Sequence, residues 1–178
     1  MFKINSPTSW LLAGTTTITA LVLVALPLAS LQAQSSRVKP AEILEAHNKY
    51  RTEVKISGLT WSDELAKSAQ TWADNLAATN SFEHSGTNYG ENIWQGTANA
   101  YTQTDMVDGW GSEKKDFKYG TFPDVSSTGD WSDVGHYTQI VWKNTKEVGC
   151  GLATSQDGND ILVCQYNPPG NYNNQKPY

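Results

Sequence analysis

The chain has 178 residues, with 13 lysines and arginines against 18 acids and a formal charge of −5 with histidine neutral. The charges are scattered rather than blocked, which excludes the basic face that nucleic-acid phosphates require. Seven tryptophans in a chain of this size imply a well-packed core or an aromatic-lined groove.

Residues 1–33 read as a segment apart. Lys3 supplies one positive charge, Trp10 to Leu31 carries none, and small residues follow at Ala29, Ser30 and Ala33. This order is that of a secretory signal peptide, with retention as an N-terminal membrane anchor as the alternative, since about 20 apolar residues suffice to span. Residues 34–39 form a short polar lead, and residues 40–178 are expected to be one domain. Membrane attachment is expected only if the N-terminal segment is retained.

Pro40 suits the first turn of a helix, and Ile43, Leu44, His47, Tyr50, Arg51 and Val54 follow helical spacing up to Gly58. His47 falls on the apolar stripe and is read as a core histidine bonded to a neighbour. A second helix is capped by Ser62 or Asp63, carries Leu65, Ala69, Trp72, Ala73, Leu76 and Ala77 on one face, and ends near Asn80. Residues 81–96 have three glycines and no helical period; they hold His84 and Glu91 between the aromatic anchors Phe82 and Trp94, with at least one strand expected around residues 82–96. Residues 99–118 read as a third helix, with Glu113 on the face of Trp110. A long loop, 119–134, precedes a short helix through Tyr137 to Trp142, capped by Ser132 or Asp133. Around that loop cluster Phe117, Tyr119, Phe122 and Trp131.

The last part reads as a β-hairpin turning at Asp157-Gly158. If Cys150 lies opposite Cys164, Leu152 faces Leu162 and Val148 faces Tyr166, giving one apolar face; Gly149, Gly151 and Ala153 on the other permit close approach of a helix. Export makes the Cys150–Cys164 disulfide permissible, with two free thiols as the alternative. Closing so short a loop adds about 3 kcal/mol. Helices first and a hairpin last give an α+β class, with helices covering an antiparallel sheet.

Gly-His-Tyr-Thr-Gln-Ile-Val-Trp at 135–142 and Ile161-Leu-Val-Cys-Gln-Tyr-Asn-Pro-Pro-Gly-Asn-Tyr172 resemble the two signatures of the CAP superfamily (SCP domain): cysteine-rich secretory proteins, antigen 5 and plant pathogenesis-related proteins. Shorter echoes lie in family order at His47-Asn48 with Arg51, Leu59-Thr-Trp61, His84-Ser85, Gly90-Glu-Asn92 and Trp110-x-x-Glu113. The resemblance implies an α-β-α sandwich around a three-stranded antiparallel sheet. It also implies that His84, Glu91, Glu113 and His136 share one cleft, and that Cys150 and Cys164 are bridged.

Four chemistries suit that cleft. His84 and His136 could bind zinc or another divalent metal, with no obligatory cofactor implied. Glu91 or Glu113 could serve as base of a zinc-dependent protease or esterase, although no His-Glu-x-x-His or Gly-x-Ser-x-Gly motif is present. The aromatic loop of Phe117, Tyr119, Phe122 and Trp131 could hold a sterol or fatty acid, as relatives do, or the surface an extracellular protein. The four polar residues could also be a purely structural cluster. The resemblance implies a secreted or periplasmic protein that acts by binding, in a defence-type role, more than by catalysis.

Overall fold

The computed structural model describes residues 37–178, so the expected signal segment and the start of the polar lead lie outside the described residues. Helix α1 spans Pro40–Glu53, with Pro40 in its first turn and Ile43, Ala46, His47, Tyr50 and Arg51 buried along one face. It stops short of Gly58 because Lys55 takes a left-handed conformation (φ 59°) that turns the chain. Arg51 is wholly buried, and its guanidinium donates to the carbonyls of Ser57, Ile140, Trp142 and Thr145, which ties α1 to the chain after residue 135.

A two-residue strand, β1 (Thr60–Trp61), leads into α2 (Asp63–Thr79). Ser62 Oγ accepts the Leu65 N–H, and Asn80, left-handed at φ 53°, closes the helix. Strand β2 is Gly90–Thr97. Helix α3 runs only over Gln103–Gly111 and tightens into a 3-10 turn over Ser112–Asp116. The third helix is therefore shorter than its periodicity predicts. Its start is fixed at Thr102 by a reciprocal capping box with Asp105, and Asn99 is left-handed just before it. A 3-10 turn at Trp131–Val134, capped by Asp130 rather than Ser132 or Asp133, leads into α4 (Gly135–Ile140). The chain ends on the hairpin β3 (Glu147–Thr154) and β4 (Asn159–Asn167), followed by a coil to Tyr178.

The sheet has four strands in the order β1-β3-β4-β2, not the three expected. β2, β4 and β3 are antiparallel, and β1 adds in parallel to β3 at Glu147 and Val148. So short a strand carries no alternation for a sequence reading to find; its bonds to β3 and the residue before it hold it, among them Thr60 N–H to Lys146 and Ser62 N–H to Val148, each at 3.0 Å. The hairpin register is the expected one. Cys150 pairs with Cys164 and is disulfide-bonded to it, Leu152 pairs with Leu162, and Val148 with Tyr166.

Two apolar layers follow from strand alternation. Val148, Cys150, Leu152, Leu162, Cys164 and Tyr166 face α1, α3 and α4, together with Ile43, Met106, Trp110 and Ile140. Ile93, Ala153, Ile161 and Val163 face Ala69, Ala73 and Leu76 of α2. On this second side the glycines matter: a Cβ at Gly149 or Gly151 would stand 2.2 Å from the backbone of Ala66 or Gln70. The result is an α-β-α sandwich. Among the described residues no helix is long and apolar enough to cross a membrane.

Candidate functional site

The four residues singled out in the sequence arrive from separate elements as two histidine–carboxylate pairs. Glu91 stands at the start of β2, and the loop before that strand brings His84 back beside it. His84 Nδ1 lies 2.9 Å from Glu91 Oε1. The same oxygen accepts the Ser85 N–H at 2.9 Å, while Oε2 accepts Gln165 Nε2 at 3.0 Å from the neighbouring strand β4. The side chain of His84 is 66% exposed and that of Glu91 only 5%. One member meets solvent and the other anchors it.

Hydrogen bonding to Glu91 raises the His84 pKa above the ordinary imidazole range, outweighing burial. Burial pushes Glu91 up, but the bonds from His84, Gln165 and Ser85 prevail and hold it below the usual carboxylate range. Both directions favour a charged pair at His84 and Glu91.

The second pair is built from α4 and the 3-10 turn after α3. Tightening of the helix turns Glu113 toward the start of α4, where its Oε2 accepts the N–H groups of His136 and Tyr137, each at 3.0 Å. Its Oε1 lies 2.6 Å from His136 Nδ1. The His136 ring stacks on Trp110, centroids 6.1 Å apart and planes 17° from parallel. Glu113 thus places both the backbone and the ring of His136.

Both histidines line one cleft of about 670 Å³, with Glu91, Asn92, Phe122, Trp131 and Asn171 among its other walls. Glu113 stands behind His136 and is not among the residues lining it. In each pair the carboxylate holds Nδ1. With that nitrogen protonated and the ring neutral, the remaining lone pair is on Nε2. This is how carboxylates orient histidines that bind metals. Among the described residues, however, no group of three or more His, Cys, Asp or Glu side chains is arranged to hold a metal ion. The cleft offers two imidazoles and two supporting carboxylates.

The aromatic loop divides. Phe122 and Trp131 line the cleft with their rings 5.2 Å apart, Trp131 being 45% exposed. Phe117 instead packs edge-on against Tyr137, and Tyr119 lies against Tyr178, so neither lines the cleft. Ser85 does not form a dyad with His84: its Oγ engages Thr87 and Gln165.

Residues outside the two pairs support the cleft from below. His47, fully buried, donates from Nδ1 to the Ile43 carbonyl at 2.8 Å and accepts the Tyr166 hydroxyl at Nε2, also at 2.8 Å. Asn92 Nδ2 donates to Tyr166 Oη and to the His136 carbonyl, each at 3.2 Å. A polar chain therefore runs from the core histidine to the cleft. Gln165, fully buried, fixes Glu91; its Oε1 has no hydrogen-bond partner among the described residues. Gln165 is a polar residue amid the apolar run of β4, a signal open to sequence reading.

A sequence model described as the cysteine-rich secretory protein family, CAP, matches residues 44–166. Pathogenesis-related protein 1A of Nicotiana tabacum is 36% identical over 149 residues, covering 84% of each chain. Pathogenesis-related protein 1 of Arabidopsis thaliana is 34% identical over 149 residues, covering 83% of this chain and 86% of its own. Among solved structures, one of NaASP2 with Zn2+ is similar at a TM-score of 0.66 and 25% identity, covering 78% of this chain and 84% of its own. A structure of BmVAL-1 is similar at 0.65 and 27%, covering 80% and 84%.

Proposed function

The chain belongs to the cysteine-rich secretory protein family, and from that membership we propose that it is an exported, defence-type binding protein whose cleft takes a small amphipathic ligand through a divalent cation. The observation that carries this reading is the paired arrangement. Glu91 and Glu113 each hold the Nδ1 of a histidine, and the two histidines line the same cleft. His84 and His136 would hold the ion by Nε2, with Glu91 and Glu113 as orienting partners. A bound ion would supply a positive charge and open coordination positions for an anionic or polar head group. Two protein ligands predict modest affinity, and they leave room for donors from the ligand. Trp131 and Phe122 beside the pair offer an apolar surface for the remainder of such a ligand. The similarity to NaASP2, solved with Zn2+, supports zinc as the first ion to try. The disulfide and the family of secretory proteins support export, with residues 1–33 as the signal and residues 40–178 as the domain.

Binding rather than hydrolysis is favoured by how the carboxylates are used. Glu91 accepts three hydrogen bonds and Glu113 accepts three. A carboxylate committed in this way is poorly placed to take a proton from water. A structural role for the second pair is favoured by one observation, the capture of two α4 N–H groups by Glu113.

Titration calorimetry of metal-stripped protein separates the readings. One zinc site with micromolar affinity is expected, lost in His84→Ala and in His136→Ala. Glu113→Gln should weaken it about 10- to 100-fold. No zinc binding in the micromolar range would overturn the proposal. A lowered melting temperature in His136→Ala with zinc binding unchanged would leave only the structural role.

A further inference from the structure

Away from the cleft, the turn that ends α1 meets the turn between α4 and β3, and Arg51 joins them. Its buried guanidinium donates only to main-chain carbonyls, those of Ser57, Ile140, Trp142 and Thr145. Among the described residues no carboxylate pairs with it. Carbonyls satisfy its N–H donors but carry no net charge, so the positive charge stays uncancelled. Burial lowers its pKa to about 10, which keeps it protonated at neutral pH.

Ser57 lines a cavity of about 280 Å³ together with Lys55, Lys143 and Lys146. All three lysines are exposed, and among the described residues none has a carboxylate within ion-pair reach. Residues 1–36 contain no Asp or Glu, so the rest of the chain cannot supply one. The acids closest in sequence are engaged elsewhere, Glu53 with Lys114 at 2.6 Å and Glu147 with Asn167 Nδ2 at 3.4 Å. The main-chain oxygen of Tyr178, which also lines the cavity, is held by the Tyr119 hydroxyl at 2.5 Å. Lys146 Nζ donates to the Lys143 carbonyl at 3.2 Å, and its other N–H groups have no partner among the described residues. The Ser57 hydroxyl has none either. A chain of charge −5 thus gathers three exposed ammoniums and one buried guanidinium at a single small cavity.

We propose that this pocket binds the phosphate monoester of a small, sugar-sized molecule. The ammoniums of Lys55, Lys143 and Lys146 and the Ser57 hydroxyl hold the phosphate, and Val54, Ile56 and Tyr178 meet the body that carries it. Ammoniums bind phosphate as point charges, and a doubly charged ester gains most from several of them around one cavity. The buried Arg51 adds a fixed positive charge beneath Ser57 that solvent does not screen as it screens the lysines. A soluble ester is favoured over a membrane surface, because the site is concave and none of the large exposed apolar side chains lines it. The pocket is separate from the histidine cleft and stands or falls independently of it.

The test is an NMR titration of metal-stripped, 15N-labelled protein with glucose 6-phosphate at low ionic strength. Saturable shifts of the Ser57 and Lys143 amides are expected, with none from glucose. Glucose 6-sulfate, which carries a single charge, should bind more weakly. Lys143→Gln should weaken binding about three- to fivefold. Lys67→Gln, which removes an exposed charge on α2, should leave it unchanged. Stripping the metal keeps a cation in the histidine cleft from capturing the ester. No saturable shift at Ser57 and Lys143, equal shifts with glucose, equal affinity for the sulfate, or equal weakening by Lys67→Gln would overturn the proposal. Binding to vesicles of phosphatidic acid in phosphatidylcholine that glucose 6-phosphate does not displace would also overturn it, by making the lysines a membrane contact.

Discussion

His47 and His84 show how one residue type takes opposite roles on neighbouring elements. Burial drives His47 down to a pKa of about 4, and it stays neutral between Ile43 and Tyr166. Glu91 drives His84 up, where it meets solvent. The signs separate in pH. An unfolded His47 takes up a proton below the ordinary imidazole pKa of 6.5 while the folded one resists to about 4, so its contribution is present above pH 6.5 and is lost as pH falls. His84 acts in the other direction, favouring the folded state below its unfolded pKa and ceasing to do so as pH rises through its folded one. Urea unfolding of the wild type should therefore lose about 2 kcal/mol from His47 between pH 6.5 and about pH 5, and a His47→Gln variant should lose much less over that range. Equal losses in both would contradict the assignment. The role of His47 was legible in the sequence because it sits on an apolar helical stripe. The partner of Glu113 was not, because only a turn tighter than an α-helix brings that side chain to α4.

Among the elements, the hairpin was the most fully legible. Asp157-Gly158 marks the turn, and a register that joins the cysteines also sorts large from small residues onto opposite faces. The small face has a measurable consequence. Gly151→Ala would drive a methyl group into the α2 backbone at 2.2 Å, with nothing flexible to yield. It should cost about 3 kcal/mol by urea unfolding; a cost below about 1 kcal/mol would show that α2 can move away from the sheet. β1 was not legible, because two residues offer no alternation and the strand exists only through its bonds to β3. The end of α3 was missed for a related reason. Apolar spacing continues past Gly111 to Phe117, but Phe117 meets Tyr137 from an extended segment rather than from the helix.

For the whole molecule, the order of elements was enough to give the α+β class, but nothing local shows that residues 84, 91, 113 and 136 meet. They converge because β2 lies at one edge of the sheet beside β4, while α4 packs across the same end against α3 and the 3-10 turn. The Tyr166–Asn92 link crosses from the central strand β4 to β2 and on to α4, so the core and the cleft share one hydrogen-bonded chain. Only the resemblance of two long motifs to a known family made that convergence readable beforehand. The most direct test of the cleft as a two-histidine cation site is anomalous scattering at the zinc edge from crystals of the protein grown with Zn2+. A single anomalous peak within bonding distance of His84 Nε2 and His136 Nε2, with Nδ1 of each still on Glu91 and Glu113, is the predicted result. Crystals with zinc in the medium but no peak between the two histidines would contradict it.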